Sequence, residues 1–244
     1  MQLLYVHQGG CLEAILLGID GTGDIGKQSY RAEMHNSFVS YIVRRTPARL
    51  KKYIRGPGID GCDMSIIVDT AYTFVHLSLA ARPKAPVFLT GYSRGGAGVV
   101  GVARRLAEDG VKVSGMVLFD AVDRSLAINA AELTRNVENV VYARRDPQTM
   151  SRRSFGNCAT IWHAPTKCSM RSFWGTHGAL GGVPWHTPPG GRSTDLIAET
   201  FEWSGTKISY AQDARCASEV WTWVNPHLAR LGILGGKTNT QSNV

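Results

Sequence analysis

A serine set between glycines, where an apolar run gives way to a helical pattern, constrains the fold of this chain most strongly. Residues 91–95 read G-x-S-x-G, and residues 86–90 before them are apolar enough for a buried strand. After the motif, apolar side chains recur at helical spacing until Gly110. A strand-to-helix turn is crowded two positions before and two after its centre. Gly91 and Gly95 therefore predict that Ser93 occupies such a turn with its hydroxyl exposed.

The rest of the chain alternates between strand and helix patterns, which predicts a mostly parallel sheet. Strands are predicted at residues 12–19, 86–90, 113–119, 137–143 and 169–174. Helices are predicted near residues 30–44, 64–79, 99–106 and 214–223, and loops at residues 55–61 and 181–194. This order, together with the serine turn, predicts an α/β-hydrolase fold, a mostly parallel central sheet flanked by helices in three layers.

Length and composition fit one folded unit without covalent cross-links. The chain has 244 residues, of which 43% are hydrophobic, so residues 1–234 are expected to form a single domain. The polar residues 235–244 are expected to be a disordered tail. The five cysteines include no C-x-x-C pair, which argues against a zinc site. Free buried thiols are expected, with a disulfide between Cys158 and Cys168 as the alternative.

The chain is basic, with a formal net charge of +8, which suits an anionic membrane surface or an acidic substrate. The densest basic groups, at residues 44–52 and 144–153, do not interleave with aromatic side chains, so no nucleic-acid partner is expected. The sequence shows neither a signal peptide nor an apolar stretch long enough to cross a membrane. We therefore expect a cytoplasmic chain as synthesised, with signal-less export left open, and the oligomeric state is not predicted.

A serine on such a turn becomes a nucleophile when a histidine accepts its proton and an acid orients that histidine. In this fold the partners follow the serine in the order acid, then histidine. His177, directly after the last predicted strand, is the preferred base, and His227 is the reserve. Asp120 and Asp146 each follow a predicted strand, and both remain candidate acids, with Asp123 as a weaker third. The backbone N–H of Arg94 would be one oxyanion donor.

Two other functions remain open. Residues 21–26 read G-x-G-x-x-G after a strand, as in a dinucleotide site, but no acid lies about 20 residues further on to bind a ribose. That region carries Arg44 and Arg45, which would suit a 2′-phosphate. The second alternative is a hydrolase scaffold that binds a ligand without catalysis. Acyl transfer to an acceptor other than water is a variant of the main hypothesis.

Four segments in order resemble a known family of α/β hydrolases, the one that includes the type VI secretion phospholipase effectors. These segments are GIDGTG at residues 18–23, YSRG at 92–95, LFDAV at 118–122 and FWGTH at 173–177 with the glycines up to 182. The resemblance spans about residues 14 to 182. The family also has a tryptophan-bearing helix after its histidine, as this chain does.

The resemblance implies a Ser-Asp-His triad that acts on ester bonds, in several members those of phospholipids. It assigns Ser93 and His177 directly and favours Asp120 over Asp146 as the acid. It also implies that the backbone N–H of Gly21 or Thr22 is the second oxyanion donor. This chemistry requires no metal and no cofactor, and its partner is an ester or lipid substrate.

Overall fold

The computed structural model of the chain describes residues 12–23, 26–124, 128–199 and 205–234. Within these residues six strands form one sheet, namely β1 Leu12–Ile19, β2 Ala48–Ile54, β3 Val87–Tyr92, β4 Gly115–Phe119, β5 Asn139–Arg145 and β6 Lys167–Phe173. The helices of the same residues are α1 Lys27–Met34, α2 Phe38–Arg45, α3 Met64–Ala81, α4 Arg94–Glu108, α5 His177–Leu180 and α6 Tyr210–Arg230. Short 3₁₀ turns lie at Pro147–Thr149 and Arg153–Phe155.

The strands lie in the order β2-β1-β3-β4-β5-β6, and every neighbouring pair is parallel. The chain adds β2 on one side of β1, then returns to place β3 on the other side. The direction of strand addition therefore reverses between β1 and β3, and the carboxyl ends of strands at such a reversal form the usual ligand crevice of an open α/β sheet. With the G-x-S-x-G turn after β3, this topology is the α/β-hydrolase fold, and the predicted fold class is confirmed.

Two apolar cores cover the two faces of the sheet, because successive side chains of a strand point to opposite faces. In β1, Ile15 and Leu17 belong to the core shared with α3 and α4. Ala14 and Leu16 belong to the core shared with α1, α2 and α6. The sheet is therefore buried on both faces, in the three-layer arrangement typical of parallel strands.

Most predicted elements agree with the structure to within a few residues. β1 spans the predicted residues, and α3 ends at Ala81, just before Pro83. α6 is longer than its predicted core of residues 214–223. It begins at Tyr210 because Ser209 and Gln212 form a capping box, in which each side chain bonds the other residue's backbone N–H.

Two predictions of local structure need correction. The single helix expected at residues 30–44 is wrong, because α1 ends at Met34 and α2 begins at Phe38. Ser37 separates the two helices, since its Oγ accepts the backbone N–H of Ser40 at 3.0 Å and caps α2. The strand β2 was not predicted. Among the described strands it pairs with β1 alone, at the edge of the sheet, where charged side chains such as Lys51 remain exposed.

The helix α3 is long and apolar enough to span a membrane by length and composition, which the sequence interpretation missed. One face of this helix nevertheless lies in the core of the sheet through Ile67, Ala71 and Val75. The core helix of a folded domain passes the same length and hydropathy criteria. Packing explains the apolar side chains of that face only, because 28% of the helix is buried and Ile66 and Leu77 are exposed.

The cysteines in the described residues are free thiols. Cys158 and Cys168 form no disulfide, so of the two alternatives for this pair the structure has the unpaired one. Burial raises the pKa of both thiols, that of Cys168 to about 11, which keeps them protonated and unreactive. The tail at residues 235–244 lies outside the described residues.

Candidate active site

The residues predicted to act together meet at the carboxyl edge of the sheet. Ser93 follows β3, Asp120 follows β4, and His177 begins α5 after β6. Because parallel strands end at the same edge, three segments that are far apart in sequence deliver their side chains to one place. All three residues are buried, with Ser93 5% and His177 8% exposed.

Ser93 lies on a sharp turn between β3 and α4. Its backbone has φ 54° and ψ −130°, in a region that non-glycine residues rarely adopt. Such a conformation costs roughly 1–3 kcal/mol and persists only where the surroundings enforce it. A β-carbon on Gly91 would lie 2.6 Å from the carbonyl oxygen of Gly95, and one on Gly95 would lie 2.2 Å from that of Asp20. Both positions therefore accept only glycine, for the steric reason that the sequence pattern predicted.

His177 connects the serine to the acid. Its Nε2 lies 2.8 Å from Ser93 Oγ, and its Nδ1 lies 2.6 Å from Asp120 Oδ2. Because the carboxylate can only accept, Nδ1 carries the proton and Nε2 is left to accept from the serine hydroxyl. The imidazole is packed between the rings of Tyr92, at 5.1 Å, and Phe155, which meets it edge-on at 5.3 Å. We call this arrangement the Ser93–His177–Asp120 relay.

Asp120 is fully buried and accepts four hydrogen bonds. Oδ1 accepts from the backbone N–H of Arg145 at 3.1 Å and from Asn157 Nδ2 at 2.8 Å. Oδ2 accepts from His177 and forms an ion pair with Arg145 Nη1. Burial raises the pKa of this carboxyl, but the hydrogen bond from His177 and the charge of Arg145 outweigh it and hold the pKa below its ordinary value. Asp120 is therefore ionised at neutral pH.

The other candidate acids and the reserve histidine lie in different surroundings. Asp146 caps the 3₁₀ turn at Pro147–Thr149, where its Oδ1 accepts the backbone N–H of Gln148 at 2.8 Å. Asp123 accepts the N–H of Ala130. His227 lies near the end of α6, with its Nδ1 next to an Arg230 nitrogen. Among the candidate acids and histidines in the described residues, only Asp120 and His177 form a hydrogen bond with each other, and only His177 forms one with Ser93.

Backbone donors border the serine on two sides. The N–H groups of Arg94 and Thr22 have no hydrogen-bond partner among the described residues. The N–H of Gly21 instead donates to Asp20 Oδ1 at 2.9 Å. Of the two positions considered in the loop after β1, the structure therefore leaves the N–H of Thr22 free. The Thr22 hydroxyl is also buried without a partner in the described part of the chain.

Asp20 supports this loop as a second buried carboxylate. It accepts hydrogen bonds from the hydroxyls of Ser37 and Tyr53, the latter at 2.8 Å, besides the N–H of Gly21. Burial raises the pKa of Asp20 to about 6, and the three hydrogen bonds offset part of that rise.

Supporting residues that the sequence did not reveal hold the histidine in place. The backbone N–H of His177 donates to Ser151 Oγ at 2.9 Å, and Ser151 in turn donates to Glu199 at 3.0 Å. One residue earlier, Thr176 donates its N–H and its hydroxyl to Asp213 at 2.8 and 2.9 Å. No motif marks these residues, since Glu199 and Asp213 are isolated in sequence and only the fold brings them to the histidine.

The surroundings of the G-x-G-x-x-G pattern explain its first two glycines without a nucleotide. A β-carbon on Gly21 would lie 2.6 Å from the ring of Tyr92, and one on Gly23 would lie 2.6 Å from the ring of Tyr30. Arg55, directly after β2, pairs with Asp63 at 3.4 Å. Among the described residues no group of three or more His, Cys, Asp or Glu side chains is placed to hold a metal ion.

No protein-family model and no curated protein sequence matches this chain. Solved structures that it resembles include a hormone-sensitive-lipase homologue, EstE7, from a metagenome library. That match covers 90% of this chain and 80% of the other at 12% identity, with a TM-score of 0.48. A hormone-sensitive lipase from a metagenome library matches over 67% of each chain at 12% identity and a TM-score of 0.40.

The type II thioesterase BorB, from the borrelidin biosynthetic cluster, matches over 67% of this chain and 83% of its own at 13% identity, with a TM-score of 0.39. The fold class of this chain rests on its own strand order and on the turn at Ser93.

Proposed function

We propose that this chain is a serine hydrolase that cleaves carboxylic esters through an acyl-enzyme. One observation carries the proposal, namely the unbroken relay from Ser93 Oγ to His177 at 2.8 Å and from His177 to Asp120 at 2.6 Å. A nucleophile within hydrogen-bond reach of a base that is itself oriented by a third group is the arrangement that activates a serine hydroxyl.

In the proposed reaction His177 Nε2 accepts the proton of Ser93 as Oγ attacks the ester carbonyl. The imidazolium then donates that proton to the leaving alcohol, and the acyl group remains on Ser93. A water molecule then loses a proton to the same nitrogen and attacks the acyl carbonyl. As the bond from the acyl carbon to Ser93 Oγ breaks and the acid leaves, the imidazolium returns its proton to Oγ. Asp120 stays ionised throughout, because Arg145 and Asn157 bind its carboxylate, and it stabilises the imidazolium that forms at each step.

The negative charge that develops on the substrate oxygen is stabilised best by N–H donors that are not already hydrogen-bonded to another group. We assign this role to the backbone N–H groups of Arg94 and Thr22, one at the start of α4 and one after β1. The amino terminus of α4 adds a favourable dipole for the developing anion. The two donors follow β1 and β3, the strands that flank the reversal in the sheet, which is where ligands usually bind in an open α/β sheet.

Within this class we propose lipid esters, phospholipids included, as the substrates. The support is the resemblance over residues 14–182 and the net charge of +8, which favours an anionic membrane surface. The rate at which the protein hydrolyses phospholipid in vesicles would be compared with its rate on a soluble p-nitrophenyl ester, at equal protein concentration. Hydrolysis of the soluble ester alone would restrict the substrates to soluble esters and leave the serine hydrolase proposal intact.

The decisive test is covalent labelling of the purified protein with a fluorophosphonate, followed by mass spectrometry of the labelled peptide. We expect the label on Ser93, its loss in Ser93→Ala, and much slower labelling in His177→Ala. Ser218→Ala is the matched control, since Ser218 is an exposed serine on α6, and it should label like the parent. A folded protein that takes up no label at Ser93 would support the binding-only scaffold instead.

A further inference from the structure

A cleft of about 470 Å³ opens beside the acid end of the relay. Three arginines contribute to its lining, namely Arg144, Arg145 and Arg153, together with Ser151 and Asn157. None of the described residues that line the cleft is acidic. A concave site of this volume lies within the range that holds small organic ligands. Its lining charge favours an anion.

Two of the arginines in this region already have acidic partners. Arg145 donates Nη1 to Asp120 and Nη2 to the carbonyl oxygen of Arg152 at 3.0 Å. Arg152 itself lies beside Glu199, at 3.9 Å. Neither guanidinium therefore brings an unbalanced charge to the cleft.

Arg144 and Arg153 lack such partners. The described contact of the Arg144 guanidinium is Met170 Sδ at 3.2 Å, and a thioether is only a weak acceptor. The Nε of Arg144 is buried and has no partner among the described residues. Arg153 is exposed on its 3₁₀ turn and has no hydrogen bond or ion pair within the described part of the chain. Two guanidinium groups thus border one cleft without an oxygen acceptor.

We propose that this cleft is a binding site for a phosphate group, held between Arg144 and Arg153. Guanidinium groups present paired N–H donors that match the oxygens of a phosphate, and charge-assisted bonds of this kind are among the strongest in proteins. The site lies behind the relay, because Asn157 and Arg145 touch both the cleft and Asp120. A bound phosphate is therefore next to the groups that hold the acid.

Binding would be measured by calorimetry with inorganic phosphate, at constant ionic strength, on Ser93→Ala protein so that catalysis plays no part. We expect saturable binding that becomes about tenfold weaker in Arg144→Gln and in Arg153→Gln, the loss of one charge-assisted bond in each. Arg171→Gln is the matched control, because Arg171 is an exposed arginine on β6 that lies against Phe173. The Arg171→Gln variant should bind phosphate with the same affinity as the parent.

The proposal is overturned if phosphate gives no saturable heat, or if Arg144→Gln and Arg153→Gln bind it as the parent does. An equal loss in Arg171→Gln would also overturn it, since general charge would then explain the binding. Because Arg153 is on the surface, its variant is expected to fold, and circular dichroism would check this for every variant.

A second arm identifies the source of the phosphate, and this arm alone rests on the proposed hydrolase function. Two esters with the same acyl group are compared, one with a phosphate-bearing and one with a neutral alcohol. If the group belongs to the substrate, Arg153→Gln raises KM about tenfold for the phosphate-bearing ester alone. If it is free phosphate, added phosphate changes the turnover of the neutral ester in the parent and not in Arg153→Gln. If the protein has no esterase activity at all, the proposed hydrolase function is refuted. The calorimetry still decides whether the cleft binds phosphate.

Discussion

Two carboxylates of this molecule occupy equivalent places and have opposite electrostatics. Asp20 follows β1 and Asp120 follows β4, both directly after a parallel strand and both fully buried. Asp20 accepts hydrogen bonds from neutral groups only, and burial raises its pKa to about 6. At Asp120 burial acts in the same direction, yet His177 and Arg145 hold the pKa below its ordinary value.

Burial raises the pKa of both acids, and the charges of the partners decide whether that rise persists. Both acids are ionised at pH 7. Asp120 keeps its charge well below neutral pH and can balance an imidazolium, whereas Asp20 fixes the backbone of the loop that carries Thr22.

Replacing the acid itself should have the largest effect. In Asp120→Asn the amide no longer fixes the histidine tautomer or stabilises the imidazolium, so we expect ester turnover to fall on the order of 10⁴-fold. Asp146→Asn is the matched control and should retain turnover close to that of the parent, because Asp146 caps a turn. Steady-state kinetics on a soluble ester would measure both. Full activity in the first variant with loss in the second would reverse the assignment.

Removing the cation beside Asp120 should lower the stability of the folded protein. Arg145→Met leaves a buried carboxylate without its ion pair, and we expect the free energy of unfolding in urea at pH 7 to fall by about 3–5 kcal/mol. Arg105→Met breaks the exposed ion pair with Asp69 and should cost only about 0–1 kcal/mol. Similar losses in the two variants would mean that Arg145 does not compensate a buried charge.

Asp20 and Asp120 should make the free energy of unfolding depend on pH in opposite directions. The folded pKa of Asp20, about 6, lies above its unfolded value near 3.8, so the folded state binds the extra proton. Stability therefore falls as pH rises through that interval, by on the order of 3 kcal/mol. Asp120 has a lowered pKa, so its contribution is present at neutral pH and is lost as pH falls below about 4.

Asp20→Asn should remove the larger part of the decline between about pH 4 and pH 6, since an amide cannot ionise. Burial also raises the pKa of Asp213, which accounts for the remainder. Urea unfolding at several pH values would measure it. Asp69→Asn, at an exposed carboxylate, should leave the decline unchanged. An unaltered decline in Asp20→Asn would show that another group causes it.

The smallest effect is expected at one of the neutral donors. Tyr53→Phe removes the hydroxyl that donates to Asp20 at 2.8 Å, and we expect a loss of about 1 kcal/mol at pH 4. The loss should be greater at pH 7, where the acceptor is charged. Tyr41→Phe is the control, because the Tyr41 hydroxyl has no hydrogen-bond partner among the described residues. Equal losses for Tyr53→Phe at both pH values would contradict a change in the charge of Asp20.

The sequence carried the information for those features that depend on local geometry. Gly91 and Gly95 were predictable because a turn this tight excludes side chains whatever the rest of the fold contains. The same holds for α3, whose apolar spacing and following Pro83 define it locally. The sequence could also present Asp120 as a candidate acid, because an aspartate directly after a buried strand lies at the carboxyl edge of the sheet.

Features that depend on distant partners were not predictable. In the sequence Arg145 comes after the strand predicted at residues 137–143, like any surface arginine, and only the fold buries it against Asp120. The strand β2 looked like a basic surface segment, because an edge strand pairs on one side only and keeps its charged side chains in water. The break at Ser37 was missed for a related reason, since its side chain bonds both Ser40 and the distant Asp20.

The contact at Gly95 has a consequence for anyone who redesigns this protein. No side chain separates the first turn of α4 from the carbonyl oxygens of Ile19 and Asp20, which lie within 2.3 Å of where a β-carbon would be. Main-chain atoms therefore meet directly between the segments that carry Arg94 and Thr22. A designer who adds any side chain at position 95 would force these two segments, and the donors they carry, apart.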